Sequence, residues 1–347
     1  MDKINLKGLT LSELEQFVTS LGEKTYRAQQ IFKWIYGAGV SDIEKMTNLA
    51  KSFRQTLLTK AVIHSLQLIT SRRSTKDATI KFLFQLQDGF RIESVLMLDS
   101  ARTTLCISTQ AGCAVNCTFC ATGLSGLQRH LTAGEIVDQL FQVEKITGKK
   151  VSNLVCMGMG EPFHNYDNLI RACAILSHDL GPNLAKRHIV ISTSGIVPKI
   201  KQYADEGHKY KLAISLNAPT DDVRSQLMPL NKKWPLKELI HAAKYYTQKS
   251  DQRVTFEYVL MHGINDSPDD AQRFRKLVSE LKCKVNLIPY NATEGVYRRP
   301  SEKRILDFYK KMALLRAPVT IRWSKGDDID AGCGQLAGGL NPDKPDQ

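Results

Sequence analysis

The sequence predicts an α/β protein in which a small helical domain precedes an open, partial barrel of parallel strands and covering helices. Three patterns predict this fold. Apolar residues recur at helical spacing through roughly the first sixty residues, alternate at strand spacing from Thr79, and then form short runs between helical patterns. Repeated strand and helix alternation is typical of a parallel sheet. Five or six such units are too few for an eight-stranded barrel, and we expect the functional site at the carboxyl ends of the strands.

The amino-terminal region, residues 1–65, is predicted to be a helical accessory domain. Its two apolar stripes are Leu11, Leu14, Phe17, Val18 and Leu21, followed by Ala28, Ile31, Phe32, Ile35 and Tyr36. Basic residues at positions 27, 33 and 51 accompany these stripes. Contact with RNA is one interpretation of this region, and packing against the rest of the chain is the other.

A β-hairpin is predicted over residues 75–105, between the helical domain and the barrel. The alternating segments ATIKFLFQL and FRIESVLML are joined by the turn signal Asp88-Gly89, and a third segment, TTLCIST, leads onward. The barrel is expected over residues 106–335, where strand-like runs recur in SNLVCMGMG, RHIVIST, KLAISLN, VTFEYVLM, KVNLIPY and VTIRW. Residues 336–347, which end in NPDKPDQ, have the composition of a flexible tail.

The composition favours a cytoplasmic protein that binds a polyanion. The 347 residues are 42% hydrophobic and carry a formal net charge of +13, without an apolar run of membrane-spanning length. Such a charge attracts nucleic acid, although a solvated basic surface explains it as well. Four of the eight cysteines lie close together and four are scattered. This distribution argues against a disulfide scaffold and indicates metal or redox chemistry in a reducing compartment.

The clustered cysteines form a candidate metal site. Cys113, Cys117 and Cys120 have the spacing CxxxCxxC, and thiolates are the usual ligands of iron-sulfur clusters. Three ligands leave one iron of a four-iron cluster open to a cofactor or substrate, as catalytic metal sites require. A structural zinc ion with His130 as the fourth ligand is the competing interpretation.

Further candidate residues directly follow apolar runs, where the carboxyl ends of the predicted strands meet. Gly160-Glu161 follows one run, and Ser192, Ser215 and Asn291 follow later ones. Each of them alone is typical of an ordinary turn or helix cap. Their shared position predicts that they lie at one site.

The cysteine spacing resembles the signature of the radical S-adenosylmethionine (SAM) superfamily, and the resemblance to its family of RlmN and Cfr RNA methyltransferases covers nearly the whole chain. The matching segments are LGEKTYRAQQIFKWIY, LCISTQAGCAVNCTFCATG, VCMGMGEP, ISTSGIVP, LAISLNAP, VNLIPYN and GDDIDAGCGQLAG. They include Cys106 and Cys333 at positions where the family needs them. Taken alone, Cys106 is typical of a small buried residue, whereas Cys333 lies in a glycine-rich segment typical of a mobile loop.

The resemblance implies a radical SAM barrel with defined cofactors and binding residues. One [4Fe-4S] cluster per chain is bound by Cys113, Cys117 and Cys120. Two molecules of SAM are consumed in each methylation, and SAM is contacted by Gly160, Glu161, Ser192, Ser215, Leu216, Asn217 and Asn291. Asn217 is a departure, because the family commonly has histidine there; both side chains form hydrogen bonds.

The resemblance also implies a radical mechanism on adenine. Cys333 takes a methyl group from one SAM, and the 5′-deoxyadenosyl radical from a second SAM removes a hydrogen atom from that group. The methylene radical adds to carbon 2 of the base, Glu93 accepts the carbon 2 proton, and Cys106 attacks the sulfur of Cys333 to release the RNA. An outward-facing position on an alternating strand is the competing interpretation of Glu93.

The implied substrates are 23S rRNA, at the peptidyl-transferase centre, and tRNA, at an anticodon-loop adenine. The implied product is 2-methyladenosine, the reductant is a protein such as flavodoxin, and the enzyme acts as a monomer without a membrane. Two alternatives stay open. The segment Ala121-Thr122-Gly123 resembles Cfr, which methylates carbon 8 of the same adenine. A noncatalytic RNA-binding protein with a structural metal would need neither Glu161 nor the two additional thiols.

Overall fold

The computed structural model describes residues 3–293 and 295–338, and it confirms the predicted α/β class. The amino-terminal region contains β1 (Ile4–Asn5), α1 (Leu11–Ser20), α2 (Tyr26–Phe32), α3 (Lys51–Lys60) and β2 (Ala61–Val62). β1 and β2 pair in parallel, so the two ends of the region lie together. Most of the predicted tail, residues 339–347, lies outside the described residues.

The amino-terminal region packs directly against the barrel. Thr10 caps α1 through a capping box, and the apolar stripes of α1 and α2 are buried. A buried ion pair, 2.6 Å from Lys7 Nζ to Asp138 Oδ1, joins the region to α5 (Ala133–Thr147) of the barrel. Gly134 permits this approach, because a Cβ there would lie 2.2 Å from the Lys7 carbonyl oxygen. The stripes therefore serve packing.

An antiparallel extension follows, formed by β3 (Gln67–Arg73), β4 (Thr79–Gln85) and β5 (Arg91–Asp99). The prediction of a hairpin over residues 75–105 did not include β3. The sequence of this strand, QLITSRR, is mostly polar, and none of its residues is fully buried. β6 (Arg102–Cys106) pairs antiparallel with β5 and parallel with β9 (Asn153–Cys156). The predicted boundary between residues 105 and 106 therefore falls within a strand that belongs to both parts of the sheet.

The parallel strands form the open barrel that the sequence predicts. From β6 and β9 the series continues through β10 (Ile189–Thr193), β11 (Lys211–Ser215), β12 (Val254–Leu260), β13 (Cys283–Pro289) and β14 (Val319–Ile321). Within the described residues the main sheet has ten strands, in the order β14-β13-β12-β11-β10-β9-β6-β5-β4-β3. β14 and β3 are its two edges, so the parallel part does not close.

Helices cover the barrel: α5, α6 (Tyr166–Leu176), α7 (Val197–Asp205), α8 (Asp221–Leu227), α9 (Leu236–Ser250), α10 (Pro268–Val278) and α11 (Glu302–Met312). Thr132 and Ser267 begin α5 and α10 with capping boxes, and Gly148 ends α5 in the left-handed conformation. Apolar helix faces and strand residues share one buried core. In the described part of the chain, no helix is both long and apolar enough to cross a membrane.

Candidate active site

A loop beyond β6 presents the three clustered cysteines. It is braced by the paired strands β7 (Gln110–Gly112) and β8 (Leu127–His130) and by α4 (Ala121–Leu124). Gly112 permits a tight approach, since its φ is +77° and a Cβ there would lie 1.9 Å from the Gly126 carbonyl oxygen. The loop therefore turns back on itself and directs the three cysteines into one pocket.

This pocket, the upper pocket, lies at the carboxyl ends of the parallel strands. It is lined by the three cysteines together with the predicted site residues Gly160, Glu161, Ser192, Ser215, Asn217 and Cys333. Desolvation raises the pKa of Cys113 to about 12, and Glu161 and Cys120 act in the same direction. Residues predicted from separate segments are thus brought together, as their positions after apolar runs suggest.

Glu161 is buried and held in one orientation. Its Oε2 accepts hydrogen bonds from the backbone N–H and the hydroxyl group of Ser194, both at 2.6 Å, and its Oε1 accepts one from the Phe163 N–H at 3.0 Å. The preceding Gly160 has a φ of +103°, and a Cβ there would lie 2.8 Å from the Gln110 nitrogen. A fixed carboxylate on the pocket wall can bind an ammonium group.

The three residues predicted at the end of β11 have different positions. Ser215 lines the upper pocket. Leu216 does not: its side chain lies fully buried in the core, and its carbonyl oxygen accepts a bond from Arg224, so its contact with SAM stays a prediction for the backbone alone. Asn217 lines the pocket with a φ of +59°, and its Oδ1 accepts the Val259 N–H at 2.9 Å. Its amide side chain therefore fixes the turn.

Arg224 is a buried cation that the sequence analysis missed. Its guanidinium group donates to the carbonyl oxygens of Ser194 at 2.6 Å, Leu216 at 3.0 Å and Ser215 at 3.2 Å, and to Asn231 Oδ1 at 2.8 Å. Desolvation lowers its pKa to about 10. It joins the carboxyl ends of β10 and β11, yet its segment, DDVRSQL, has the composition of an exposed helix.

The loop that carries Cys333 is attached to both the barrel and the cysteine loop. Asn291 Nδ2 donates to the Cys333 carbonyl oxygen at 3.1 Å. Asn291 Oδ1 is buried and has no hydrogen-bond partner among the described residues. On the other side, the Thr122 hydroxyl group donates to the Leu336 carbonyl oxygen at 2.5 Å. Asn291 thus contacts the Cys333 loop, although it does not line the upper pocket.

A second cavity of about 370 Å³, the lower cavity, lies inside the barrel beneath the upper pocket. Its lining includes both additional cysteines, Glu257 and Arg322, and at the amino ends of the strands Arg102, Lys211 and Lys284. Cys106 lines only the lower cavity, whereas Cys333 and Glu257 line both cavities. Cys333 is therefore the thiol that connects the upper pocket with Cys106.

Burial makes both additional thiols harder to ionise. Desolvation raises the pKa of Cys106 to about 12, and Cys333 adds to this effect. Desolvation also raises the pKa of Cys333 to about 11, although this residue is the more exposed of the two. Arg322 opposes the shift of both. Both groups are thus protonated at neutral pH, and Arg322, which the sequence analysis missed, favours the thiolate of each.

Glu93 is fully buried on β5, so the outward-facing interpretation is wrong. Its Oε1 lies 3.3 Å from Lys81 Nζ, and its Oε2 accepts the Ala337 N–H at 2.9 Å. Desolvation raises the pKa of Glu93, while Lys81 opposes this shift. Within the described residues Glu93 lines neither the upper pocket nor the lower cavity. It instead contacts the segment that follows Cys333.

His130 is engaged outside the pocket rather than beside the cysteines. Its Nδ1 lies 2.8 Å from Nε2 of Gln110. Across residues 3–293 and 295–338, no three His, Cys, Asp or Glu side chains are grouped closely enough to hold one metal ion. A four-iron cluster does not require its protein ligands to converge on one ion, because each of them binds a different iron atom.

Comparisons with known proteins agree with this geometry. Residues 4–63 match the ribosomal RNA large subunit methyltransferase N-terminal domain, and residues 107–275 match the radical SAM superfamily. The chain is 48% identical over 336 residues to the probable dual-specificity RNA methyltransferase RlmN of Geobacillus thermodenitrificans, which covers 96% of this chain and 92% of that protein. The chain belongs to the RlmN family of the radical SAM superfamily.

A second relative and a solved structure support the same assignment. The probable dual-specificity RNA methyltransferase RlmN of Bacillus subtilis is 44% identical over 339 residues, covering 96% of this chain and 93% of that protein. A crystal structure of a radical SAM methyltransferase from Sphaerobacter thermophilus matches with a TM-score of 0.92 and 45% identity, over 97% of this chain and all of that one. The predicted family and fold are confirmed.

Radical SAM proteins of this kind use a four-iron cluster and SAM, and the residues of the upper pocket fit both groups. Three thiols from one loop face the pocket, and Gly123 lets that loop close, because a Cβ there would lie 2.9 Å from the Cys117 backbone. Iron binding deprotonates coordinating thiols even where burial raises their pKa. The fixed Glu161 carboxylate suits the ammonium group of SAM.

Proposed function

We propose that the chain methylates carbon 2 of adenine in 23S rRNA and in tRNA. Its relatives are described as dual-specificity RNA methyltransferases, and the net charge of +13 suits a polyanionic substrate. The observation that carries the proposal is the position of Cys333, which lines both the upper pocket and the lower cavity that contains Cys106. A methyl group carried by Cys333 can therefore be reached by a radical formed in the upper pocket and by a base that enters from the lower cavity.

In this proposal the upper pocket binds the cofactors. Cys113, Cys117 and Cys120 hold one [4Fe-4S] cluster, which when bound supplies the electron that cleaves SAM into methionine and a 5′-deoxyadenosyl radical. Glu161, beside Gly160, binds the ammonium group of SAM. Further polar contacts come from Ser192, Ser215, Asn217 and Asn291. Asn291 offers its Oδ1, which has no hydrogen-bond partner within the described part of the chain.

The two additional cysteines carry the methyl group and release the product. The Cys333 thiolate attacks the methyl carbon of one SAM, and S-adenosylhomocysteine leaves. The methylated Cys333 then loses a hydrogen atom to the 5′-deoxyadenosyl radical derived from a second SAM. The resulting methylene radical adds to carbon 2 of adenine; the adduct gives up one electron, which the oxidised cluster would accept, and Glu93 accepts the carbon 2 proton. The Cys106 thiolate then attacks the sulfur of Cys333; the carbon–sulfur bond breaks, the base gains a proton, and a disulfide remains.

The other parts of the chain support this reaction. Residues 1–65 are proposed to contact RNA beside their packing role, the extension predicted over 75–105 carries Glu93, and residues 106–335 form the catalytic barrel. A reductant such as flavodoxin supplies electrons in the cytoplasm, and one chain acts alone. Binding of RNA through phosphate contacts should weaken as the salt concentration rises.

The direct test is product analysis. Anaerobically reconstituted protein is incubated with SAM, a reductant and unmodified 23S rRNA or tRNA, and the RNA is digested and analysed by chromatography and mass spectrometry. We expect 2-methyladenosine from the wild-type protein and none from Cys333→Ala with an intact cluster. 8-Methyladenosine would support the Cfr-like alternative. Protein without an iron-sulfur absorbance band and without SAM cleavage would support the noncatalytic alternative.

A further inference from the structure

Arg224 carries a charge that its own contacts do not neutralise. The residue is fully buried, and arginine is almost never fully buried without an acidic partner. Within the described residues, however, Arg224 forms no ion pair with any carboxylate. Its four hydrogen bonds reach three backbone carbonyl oxygens and the amide oxygen of Asn231, all of which are neutral. The counter-charge of this buried cation must therefore lie elsewhere.

The acidic residues on the same helix do not supply that counter-charge. Two of them begin α8, and both are exposed, so water and salt screen their charges. Asp221 Oδ1 accepts hydrogen bonds from Asn231 Nδ2 at 2.9 Å and from the Leu236 N–H at 2.8 Å instead. Desolvation lowers the pKa of Arg224, and of the two groups that oppose this effect Cys117 is stronger than Asp221. The stronger of the opposing charges thus belongs to the cysteine loop.

The upper pocket lies directly beyond the groups that Arg224 binds. Ser194 and Ser215 line this pocket, and their carbonyl oxygens accept hydrogen bonds from Arg224 at 2.6 and 3.2 Å. The last residue of α8 is also bonded to the cysteine loop, because its carbonyl oxygen accepts the Thr118 N–H at 3.0 Å. Thr118 directly follows Cys117. The guanidinium group therefore lies one hydrogen bond behind the wall of the pocket, on a helix that is attached to the cysteine loop.

The ionisable side chains that line the upper pocket are all acidic. The clustered cysteines become thiolates when they bind iron, and Glu161 and Glu257 add carboxyl groups. In the part of the chain that the structure describes, no lysine, arginine or histidine lines this pocket. Arg322 lines the lower cavity instead. Negative charges in a pocket of low dielectric constant are stabilised by a cation close behind its wall, and Arg224 is such a cation.

We propose that Arg224 is the buried counter-charge of the four-iron cluster and that its positive charge raises the reduction potential of that cluster. This inference rests on the part of the proposed function that places the cluster on Cys113, Cys117 and Cys120. Reduction by an external one-electron donor adds one negative charge to the cluster, and a nearby buried cation stabilises that charge. Because its hydrogen bonds hold the guanidinium group behind the pocket wall, Arg224 acts through its charge and not through contact with SAM.

The test uses two pairs of variants that differ in charge but share the structural cost. Arg224→Gln is neutral, whereas Arg224→Lys keeps the charge, and both lose hydrogen bonds to the backbone carbonyl groups. Asn231→Asp leaves Arg224 in place and adds a carboxylate oxygen where the amide oxygen lies 2.8 Å from the guanidinium nitrogen. Asn231→Leu is its matched control, because it removes the same amide donors without adding a charge. Urea titration of the apoproteins measures the structural cost of each replacement.

The readout is the midpoint potential of the cluster in each anaerobically reconstituted holoenzyme. The protein is titrated with dithionite in the presence of redox dyes, and electron paramagnetic resonance measures the reduced cluster. At a fixed applied potential, Arg224→Gln should lower the ratio of reduced to oxidised cluster about tenfold, the effect of a unit charge roughly 10 Å away at an effective dielectric constant of about 20. For a one-electron couple this equals a fall of about 59 mV. Arg224→Lys should stay close to the wild type. Asn231→Asp should lower the potential, and Asn231→Leu should not.

Equal potentials within either pair would overturn the assignment, because a purely structural role lowers the free energy of unfolding without separating the charged variants from the neutral ones. If Arg224→Gln retains no cluster, the two Asn231 variants decide, since both keep the arginine. Failure of the proposed function is a different result: a wild-type protein that binds no four-iron cluster or methylates no adenine. A wild type that binds the cluster and methylates RNA, with all the variants at its own potential, refutes the role of Arg224 alone.

Discussion

Replacing Lys81 by methionine should shift the acid limb of the methylation rate to higher pH. Lys81 Nζ lies 3.3 Å from Glu93 Oε1, and both side chains are buried. With an effective dielectric constant of about 20, a charge pair at this distance contributes about 5 kcal/mol. Opposite charges so close commonly change a carboxyl pKa by about one to three units. Desolvation raises the pKa of Glu93, and Lys81 opposes this shift. Loss of Lys81 therefore raises the pKa further.

The sign follows from the role proposed for Glu93. It accepts a proton only as a carboxylate, so the rate falls as the pH decreases through its pKa. In Lys81→Met this fall should begin at least about one pH unit higher than in the wild type, and Lys81→Arg, which keeps the charge, should remain close to the wild type. Single-turnover methylation of an RNA hairpin across a pH series measures the limb.

An adenine deuterated at carbon 2 identifies the step in this assay. A slower rate with the deuterated RNA shows that removal of the carbon 2 proton limits the turnover. If that isotope effect is present and the acid limbs of wild type and Lys81→Met coincide, Glu93 is not the proton acceptor.

Three further replacements test the site geometry. Arg224→Met removes the charged donor to the carbonyl oxygens of Ser194, Ser215 and Leu216 and should lower the free energy of unfolding of the apoprotein by about 3–5 kcal/mol in urea titrations; a loss below about 1 kcal/mol would contradict this role. Thr122→Val removes the bond to Leu336 and should slow methylation while cluster absorbance and SAM affinity stay unchanged; an unchanged rate would show that this bond does not position the loop. Gly160→Ala places a Cβ against Gln110 and should weaken SAM binding in calorimetry; wild-type affinity would refute the need for glycine.

Local sequence patterns predicted the parallel strands and the cysteine loop, which depend mainly on residues that are close in sequence. The apolar runs indicated the parallel strands, and the polar residues directly after them, such as Glu161 and Ser192, line one pocket because parallel strands end at the same edge. The cysteine loop was evident because its three cysteines are close in sequence. β3 was missed because an exposed polar edge strand lacks an apolar pattern.

The residues missed at the site depend on contacts between distant segments. Lys81 and Arg224 have the sequence context of exposed residues, and only the assembled sheet buries them beside Glu93 and the ends of β10 and β11. Leu216 shows the opposite case. The family resemblance implies SAM contact for its segment, but the side chain there points into the core. Burial of individual side chains is a tertiary property that residue spacing alone does not determine.

The most direct test of the account is the fate of a fully deuterated methyl group on SAM. If Cys333 carries the methyl group and loses one hydrogen atom from it, the 5′-deoxyadenosine should contain one deuterium and the methyl group of 2-methyladenosine should retain two. A product methyl group with three deuterium atoms, together with unlabelled 5′-deoxyadenosine, would show direct methyl transfer and contradict the role assigned to Cys333.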